Sequence, residues 1–141
     1  MKRIISIVLS LLMFTSLTLT AFAEPELDTP VNEEIIEEYS YTQRVSSTLS
    51  ISNKIANCKS TVFGFSTLAT KIVMTQTLQK KNGNSWTNVT SWSKTFNTWY
   101  GVFQNTKSSL SSGTYRVKTV AKVYSGANYE TITTYSTTST C

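Results

Sequence analysis

Along residues 39–141, apolar and polar side chains alternate at every second position rather than every third or fourth. Val45, Leu49 and Ile51 share one parity of a first run, and Ala56, Cys58, Ser60 and Val62 share one parity of a second. In a third run Ile72, Met74, Gln76 and Leu78 alternate with Val73, Thr75 and Thr77. In a late run Tyr115, Val117, Thr119, Ala121 and Val123 alternate with Arg116, Lys118, Val120 and Lys122. A period of two belongs to a pleated strand with one buried face. The abundance of Thr with branched and aromatic residues suits such a surface. Turn signals part the runs. Lys81-Asn82-Gly83-Asn84 and Ser125-Gly126-Ala127-Asn128 read as hairpin turns. Ser111-Ser112-Gly113 precedes Tyr115, and Gly101 is expected to break the stretch 99–103. About seven short strands at this spacing predict an all-β, antiparallel sandwich.

One detail narrows the topology. Leu110-Ser111-Ser112-Gly113-Thr114-Tyr115 has the layout of a tyrosine corner, in which a Tyr opening the sixth strand bonds back to the backbone a few residues upstream. This predicts an immunoglobulin-like or fibronectin-type sandwich, with Gly113 supplying the backbone freedom of the turn. The other reading is an ordinary Tyr opening a strand.

The start of the chain has a different character. Met1, Lys2 and Arg3 precede an apolar run that ends in Ala21-Phe22-Ala23, the layout of a secretory signal peptide over residues 1–23. The apolar stretch falls short of the ~20 residues a spanning helix needs. No Cys follows the cleavage point to carry a lipid, and no apolar tail closes the chain. The expectation is a secreted, extracellular product without a stable membrane anchor, released or held non-covalently at the envelope. In that setting Cys58 and Cys141 are expected to form one disulfide, worth roughly 4–5 kcal/mol on the chain-entropy account. A bridge between molecules through Cys141 is the alternative.

Charge is split along the chain. The net +5 includes Lys2 and Arg3, and seven of the eight acids fall in residues 24–38. From residue 39 onward eleven basic residues face one acid, Glu130. The acidic leader 24–38 also holds Pro25 and Pro30 and too few apolar residues to offset its ordering entropy, so disorder is expected there. It reads either as a solvated spacer or as an intramolecular mask over the basic domain 39–141.

The runs Gln76-Thr77-Leu78-Gln79-Lys80-Lys81 and Ser91-Trp92-Ser93-Lys94-Thr95-Phe96, with Trp86 and residues 108–118, carry a resemblance. The chain resembles a group of small secreted Gram-positive bacterial proteins with a signal peptide and a single domain of unknown function. The resemblance covers residues 39–141 and both cysteines, while the acidic leader departs from it. It implies a bacterial, exported product and transfers no catalytic or binding residue.

The reactive groups of residues 39–141 argue against turnover. There is no His and no Asp, and Glu130 stands alone. General acid–base catalysis, paired-carboxylate glycoside cleavage and a Ser–His–Asp arrangement all lack their parts. Two cysteines and one carboxylate do not fill a zinc site, and no cofactor motif is present. A Ser–Lys dyad survives on residue types alone, with no pair singled out.

Binding remains. Trp86, Trp92, Phe96, Trp99, Tyr100 and Phe103 crowd a short stretch. Trp86 and Trp92 share parity and are expected on one face. Trp99 and Tyr100, beside the expected turn at Gly101, are the candidates for contacting a glycan. Arg116, Lys118 and Lys122 are expected to line one solvent face and to suit an anionic cell-wall polymer. Nucleic acid is not expected of an exported product. The expected function is a secreted, non-enzymatic binding module at the cell envelope or on extracellular polymer. The alternative is a cationic, bacteriocin-like effector restrained by its acidic leader.

Overall fold

Strands form where the period-two runs lie in the computed structural model, which describes residues 39–141. The expected signal peptide 1–23 and acidic leader 24–38 lie outside the described residues. The strands are β1 (Thr42–Ser52), β2 (Ile55–Gly64), β3 (Lys71–Asn82) and β4 (Ser85–Phe96). Then come β5 (Tyr100–Lys107), β6 (Thr114–Ser125), β7 (Asn128–Tyr135) and the short β8 (Ser139–Thr140). All pairings are antiparallel. One sheet has the order β1-β2-β5. The larger has the order β4-β3-β6-β7, with β8 pairing β6 beyond the end of β7.

The inward parities are those the sequence marks. Ala56, Cys58, Val62, Ile72, Met74, Leu78, Tyr115, Val117, Ala121 and Val123 are all buried. They fall into two apolar clusters. One gathers Val62, Ile72, Met74, Phe103, Ala121, Val123 and Ile132, and the other gathers Ala56, Cys58, Leu78, Leu110, Tyr115 and Val117. Trp92 packs against both. A buried polar seam runs between them. Gln76 Nε2 donates to Ser60 Oγ at 2.7 Å and to the Phe103 carbonyl at 3.3 Å, while Asn105 Nδ2 donates to Gln76 Oε1 at 2.8 Å. Thr119 Oγ1 lies 2.6 Å from Ser60 Oγ and 3.0 Å from Ser47 Oγ. The seam ties both sheets together at one level, and its hydrogen bonds offset the desolvation that a fully buried Gln76 would otherwise suffer.

The tyrosine corner is present. The Tyr115 hydroxyl donates to the Ser111 carbonyl at 2.6 Å, and its ring is buried among Ala56, Leu78 and Leu110. Gly113 takes φ 149°, a region side-chain-bearing residues avoid. Its backbone pairs in both directions with Cys141, at 2.8 and 3.2 Å.

Three expectations are corrected. The Cys58–Cys141 disulfide is absent: both thiols are free and far apart. Cys58 sits mid-strand opposite Leu49 and Asn105, whereas Cys141 is held at the end of the larger sheet by Gly113, its Sγ directed at the Leu110 carbonyl. A disulfide needs Cα atoms within about 7 Å. Trp86 and Trp92 do not share a face. Gln79 pairs Asn88 but Leu78 pairs Thr90, so Val89 is a bulged extra residue that reverses the parity of β4 between the two tryptophans. Gly101 does not break the chain either. The turn comes earlier, and Gly101 lies inside β5, where an added Cβ would sit 2.8 Å from the Phe96 ring.

Candidate binding faces

The outer face of the larger sheet is built by the parity of β6 opposite its buried residues. Arg116, Lys118, Val120, Lys122 and Tyr124 point outward, flanked by Gln79, Thr77, Thr75 and Val73 on β3. Beyond them lie Tyr135, Thr133, Thr131 and Tyr129 on β7. The Val89 bulge adds Trp86 to this face. Arg116 is thereby enclosed: its guanidinium carbon lies 4.2 Å from the Trp86 ring centroid and 4.2 Å from that of Tyr135. Arg116 Nε donates to Gln79 Oε1 at 2.9 Å, and Gln79 Nε2 donates in turn to Asn88 Oδ1 at 2.9 Å. Both stacking and the Nε bond hold the guanidinium plane in one orientation.

The other end of this face repeats the theme. Lys122 Nζ stands 5.1 Å over Tyr129, Lys71 Nζ stands 4.0 Å over Tyr124, and the two tyrosine rings are 5.1 Å apart. Between the ends lie hydroxyl pairs, Thr77 with Ser91 at 2.9 Å and Thr75 with Ser93 at 3.3 Å. At the usual strand rise, Arg116 to Lys122 spans about 20 Å. Among the described residues no Lys or Arg engages a carboxylate, so no described acid offsets the positive charge of this face.

Trp99 and Tyr100 are exposed as expected, at 37% and 47%, but on the opposite sheet. Tyr100 opens β5 across from Phe63 of β2, and the rings of Phe63, Trp99 and Tyr100 lie 5.1–6.4 Å apart. Arg44 of β1 stands 5.3 Å over Phe63. The fold therefore groups Arg116, Lys118 and Lys122, and separately groups Trp99 with Tyr100. It does not bring the two sets together.

The remaining reactive groups have structural partners. The Glu130 carboxylate accepts the backbone N–H of Ser40 at 3.0 Å and of Tyr41 at 2.9 Å, fixing the entry to β1. Lys80 Nζ donates to Ser111 Oγ at 2.7 Å, a Ser–Lys contact that residue types alone left open. It is an exposed contact beside the tyrosine corner, whereas a lysine serving as base needs a desolvated setting. Burial pushes the Cys58 thiol up from 9.0 to about 11, so it remains a protonated core residue. Among the described residues no three His, Cys, Asp or Glu side chains gather as metal ligands, and no helix is long and apolar enough to cross a membrane.

No family model, curated protein or solved structure matches the chain. Trp86, Tyr135 and Gln79 are the partners of Arg116 that sequence reasoning missed. Periodicity gives no signal for Trp86, because it does not register a bulge inside the Ser/Thr-rich β4.

Proposed function

We propose that this chain is an exported, non-enzymatic binding module that grips an anionic polymer of the cell envelope with the outer face of its larger sheet. The observation that carries the reading is the clamped Arg116. With its guanidinium carbon 4.2 Å from both the Trp86 and the Tyr135 ring centroids and Nε bonded to Gln79, its terminal nitrogens form an oriented donor edge suited to phosphate or carboxylate oxygens. A side chain ordered before the ligand arrives loses less entropy on binding. Lys118 and Lys122 extend the positive row along the same strand. A linear polyanion laid along β6 would meet these charges in turn. The non-enzymatic part rests on residue chemistry: residues 39–141 have neither His nor Asp, and Glu130 is taken up by backbone amides.

An immunoglobulin-like, fibronectin-type relationship belongs to the same reading. Lettered A to G in chain order, constant-type immunoglobulin strands form ABED and CFG sheets. Here the fourth strand lies beside the third instead of the fifth, and the other neighbours are kept. The tyrosine corner supports the relationship. Such a frame leaves both sheet faces free for ligands.

The test uses purified Gram-positive cell walls before and after hydrofluoric acid strips their phosphodiester-linked polymers. The full chain should cosediment with intact walls and be released by 1 M salt, where screening acts within about 3 Å. Equal cosedimentation with stripped walls would refute the reading.

A further inference from the structure

The outer face of the three-stranded sheet has a different chemistry from the basic face and shares no residue with it. The pairing register sets its side chains in rows. Arg44, Phe63 and Tyr100 form the first row, and Ser46, Thr61 and Val102 the second. Thr48, Lys59 and Gln104 form the third, and Ser50, Asn57 and Thr106 the fourth. The first row, with Trp99, is an aromatic platform. The third and fourth rows line a concavity of ≈ 370 Å³ whose floor is the backbone of Leu49, Cys58 and Asn105. At the usual strand rise, platform and concavity together run about 20 Å.

We infer that this face is a second binding site, for a neutral or sparingly charged glycan chain lying along β2 and β5. A sugar ring presents an apolar C–H face and a rim of hydroxyls. The Phe63–Trp99–Tyr100 platform matches the first, since its rings are held in mutual contact at 5.1–6.4 Å and Tyr100 is 47% exposed. The amides of Asn57 and Gln104 and the hydroxyls of Thr48, Ser50 and Thr106 match the second, because each both donates and accepts hydrogen bonds. Charge chooses the ligand class. Arg44, over the Phe63 ring, and Lys59 are the two ionic side chains in the four rows, whereas Lys71, Lys81, Arg116, Lys118 and Lys122 crowd the outer face of the other sheet. A polyanion therefore favours the larger sheet, and an uncharged chain has no reason to. With the sites on opposite sides of the sandwich, one molecule bridges two polymers of different chemistry.

The experiment titrates the full chain with β-1,4-linked tetrasaccharides of glucose and of N-acetylglucosamine, following tryptophan emission and ligand NMR saturation transfer. At least one should saturate at or below millimolar concentration. Tyr100→Ala and Gln104→Ala should each weaken it by about tenfold. Tyr100→Phe, which keeps the ring, should stay within about twofold, as should Arg116→Ala on the opposite face. If Tyr100→Ala does not fold, Gln104→Ala decides, since that side chain is exposed. Saturation by neither sugar overturns the inference, as does unchanged binding in folded Tyr100→Ala or Gln104→Ala. Loss of sugar binding in Arg116→Ala also overturns it, by placing the sugar on the basic face. Polyanion binding is measured in parallel and is expected to fall only in Arg116→Ala, so failure of the sugar site leaves the reading of the basic face standing.

Discussion

Replacing Tyr115 by Phe removes the hydroxyl of the tyrosine corner and nothing else. The ring is 1% exposed and packs against Ala56, Leu78, Leu110 and Val117, and Phe preserves all of that contact. What is lost is the 2.6 Å bond from the hydroxyl to the Ser111 carbonyl, with a longer 3.3 Å contact to Ser111 Oγ. A net intramolecular hydrogen bond contributes about 1 kcal/mol, and a stranded buried partner costs about 1–3 kcal/mol. Ser111 is exposed, so water can reach its carbonyl once the hydroxyl is gone. The expected loss is therefore about 1–1.5 kcal/mol, at the lower end of that range. For a domain of this size it lowers the thermal midpoint by roughly 4–10 °C. Ser111→Ala removes the exposed Lys80 contact and the long 3.3 Å contact to the Tyr115 hydroxyl but leaves the acceptor carbonyl, so it should shift stability by less than about 0.5 kcal/mol. The assay is urea unfolding followed by circular dichroism, with equal slopes in both proteins as the check on two-state behaviour. A Tyr115→Phe protein as stable as the parent, or a Ser111→Ala protein that loses as much, would refute the corner as the source of stability.

Gln76→Leu should destabilise by about 1–3 kcal/mol despite its greater hydrophobicity, because Asn105 and the Phe103 carbonyl lose their partner; a stabilised variant in denaturant melts would contradict this. Without reductant, denatured protein should take up two iodoacetamide groups while native protein leaves Cys58 unmodified, as mass spectrometry would show; no uptake in the denatured chain would restore the disulfide. The Cys58 thiol holds its proton more tightly folded, at about 11, than at its ordinary 9.0. Stability contributed by the neutral thiol is thus complete below pH 9.0 and is lost as pH rises toward about 11. The stability difference between the parent and Cys58→Ala should narrow across that window, and a constant difference would count against the burial effect.

Much of this fold is legible in the sequence because a strand with one buried face writes its register at every second residue. The alternation of β6 placed Tyr115 and Val117 inward and Arg116, Lys118 and Lys122 outward, and the Ser-Ser-Gly before Tyr115 marked the corner. Periodicity fails where one residue is inserted. Val89 shifts the phase of β4, and with it Trp86 moves from the face it was expected to share with Trp92 to the side of Arg116. Pairing across long loops is likewise invisible to a local pattern. Nothing in the order of residues places Trp99 and Tyr100 on the opposite sheet from the basic row, because that follows from β5 pairing β2. Gln76, Ser60 and Thr119 stand in apolar parities and signal polar burial only when the three strands are superposed. The cysteine pair misled for a related reason: an even count states that bridging is possible, while the β8–Gly113 ladder decides where Cys141 goes.

The claim that a shaped basic face, rather than net charge, holds the polymer is tested most directly by titrating poly(glycerol phosphate) into three proteins at two salt concentrations. Arg116→Lys keeps the charge but loses both ring stacks and the Gln79 bond, whereas Lys54→Ala removes a charge from the exposed β1–β2 turn. The account predicts about tenfold weaker binding for Arg116→Lys and a change within about twofold for Lys54→Ala, with binding by all three falling at higher salt. Equal affinities for the parent and Arg116→Lys, or a larger loss in Lys54→Ala, would contradict it.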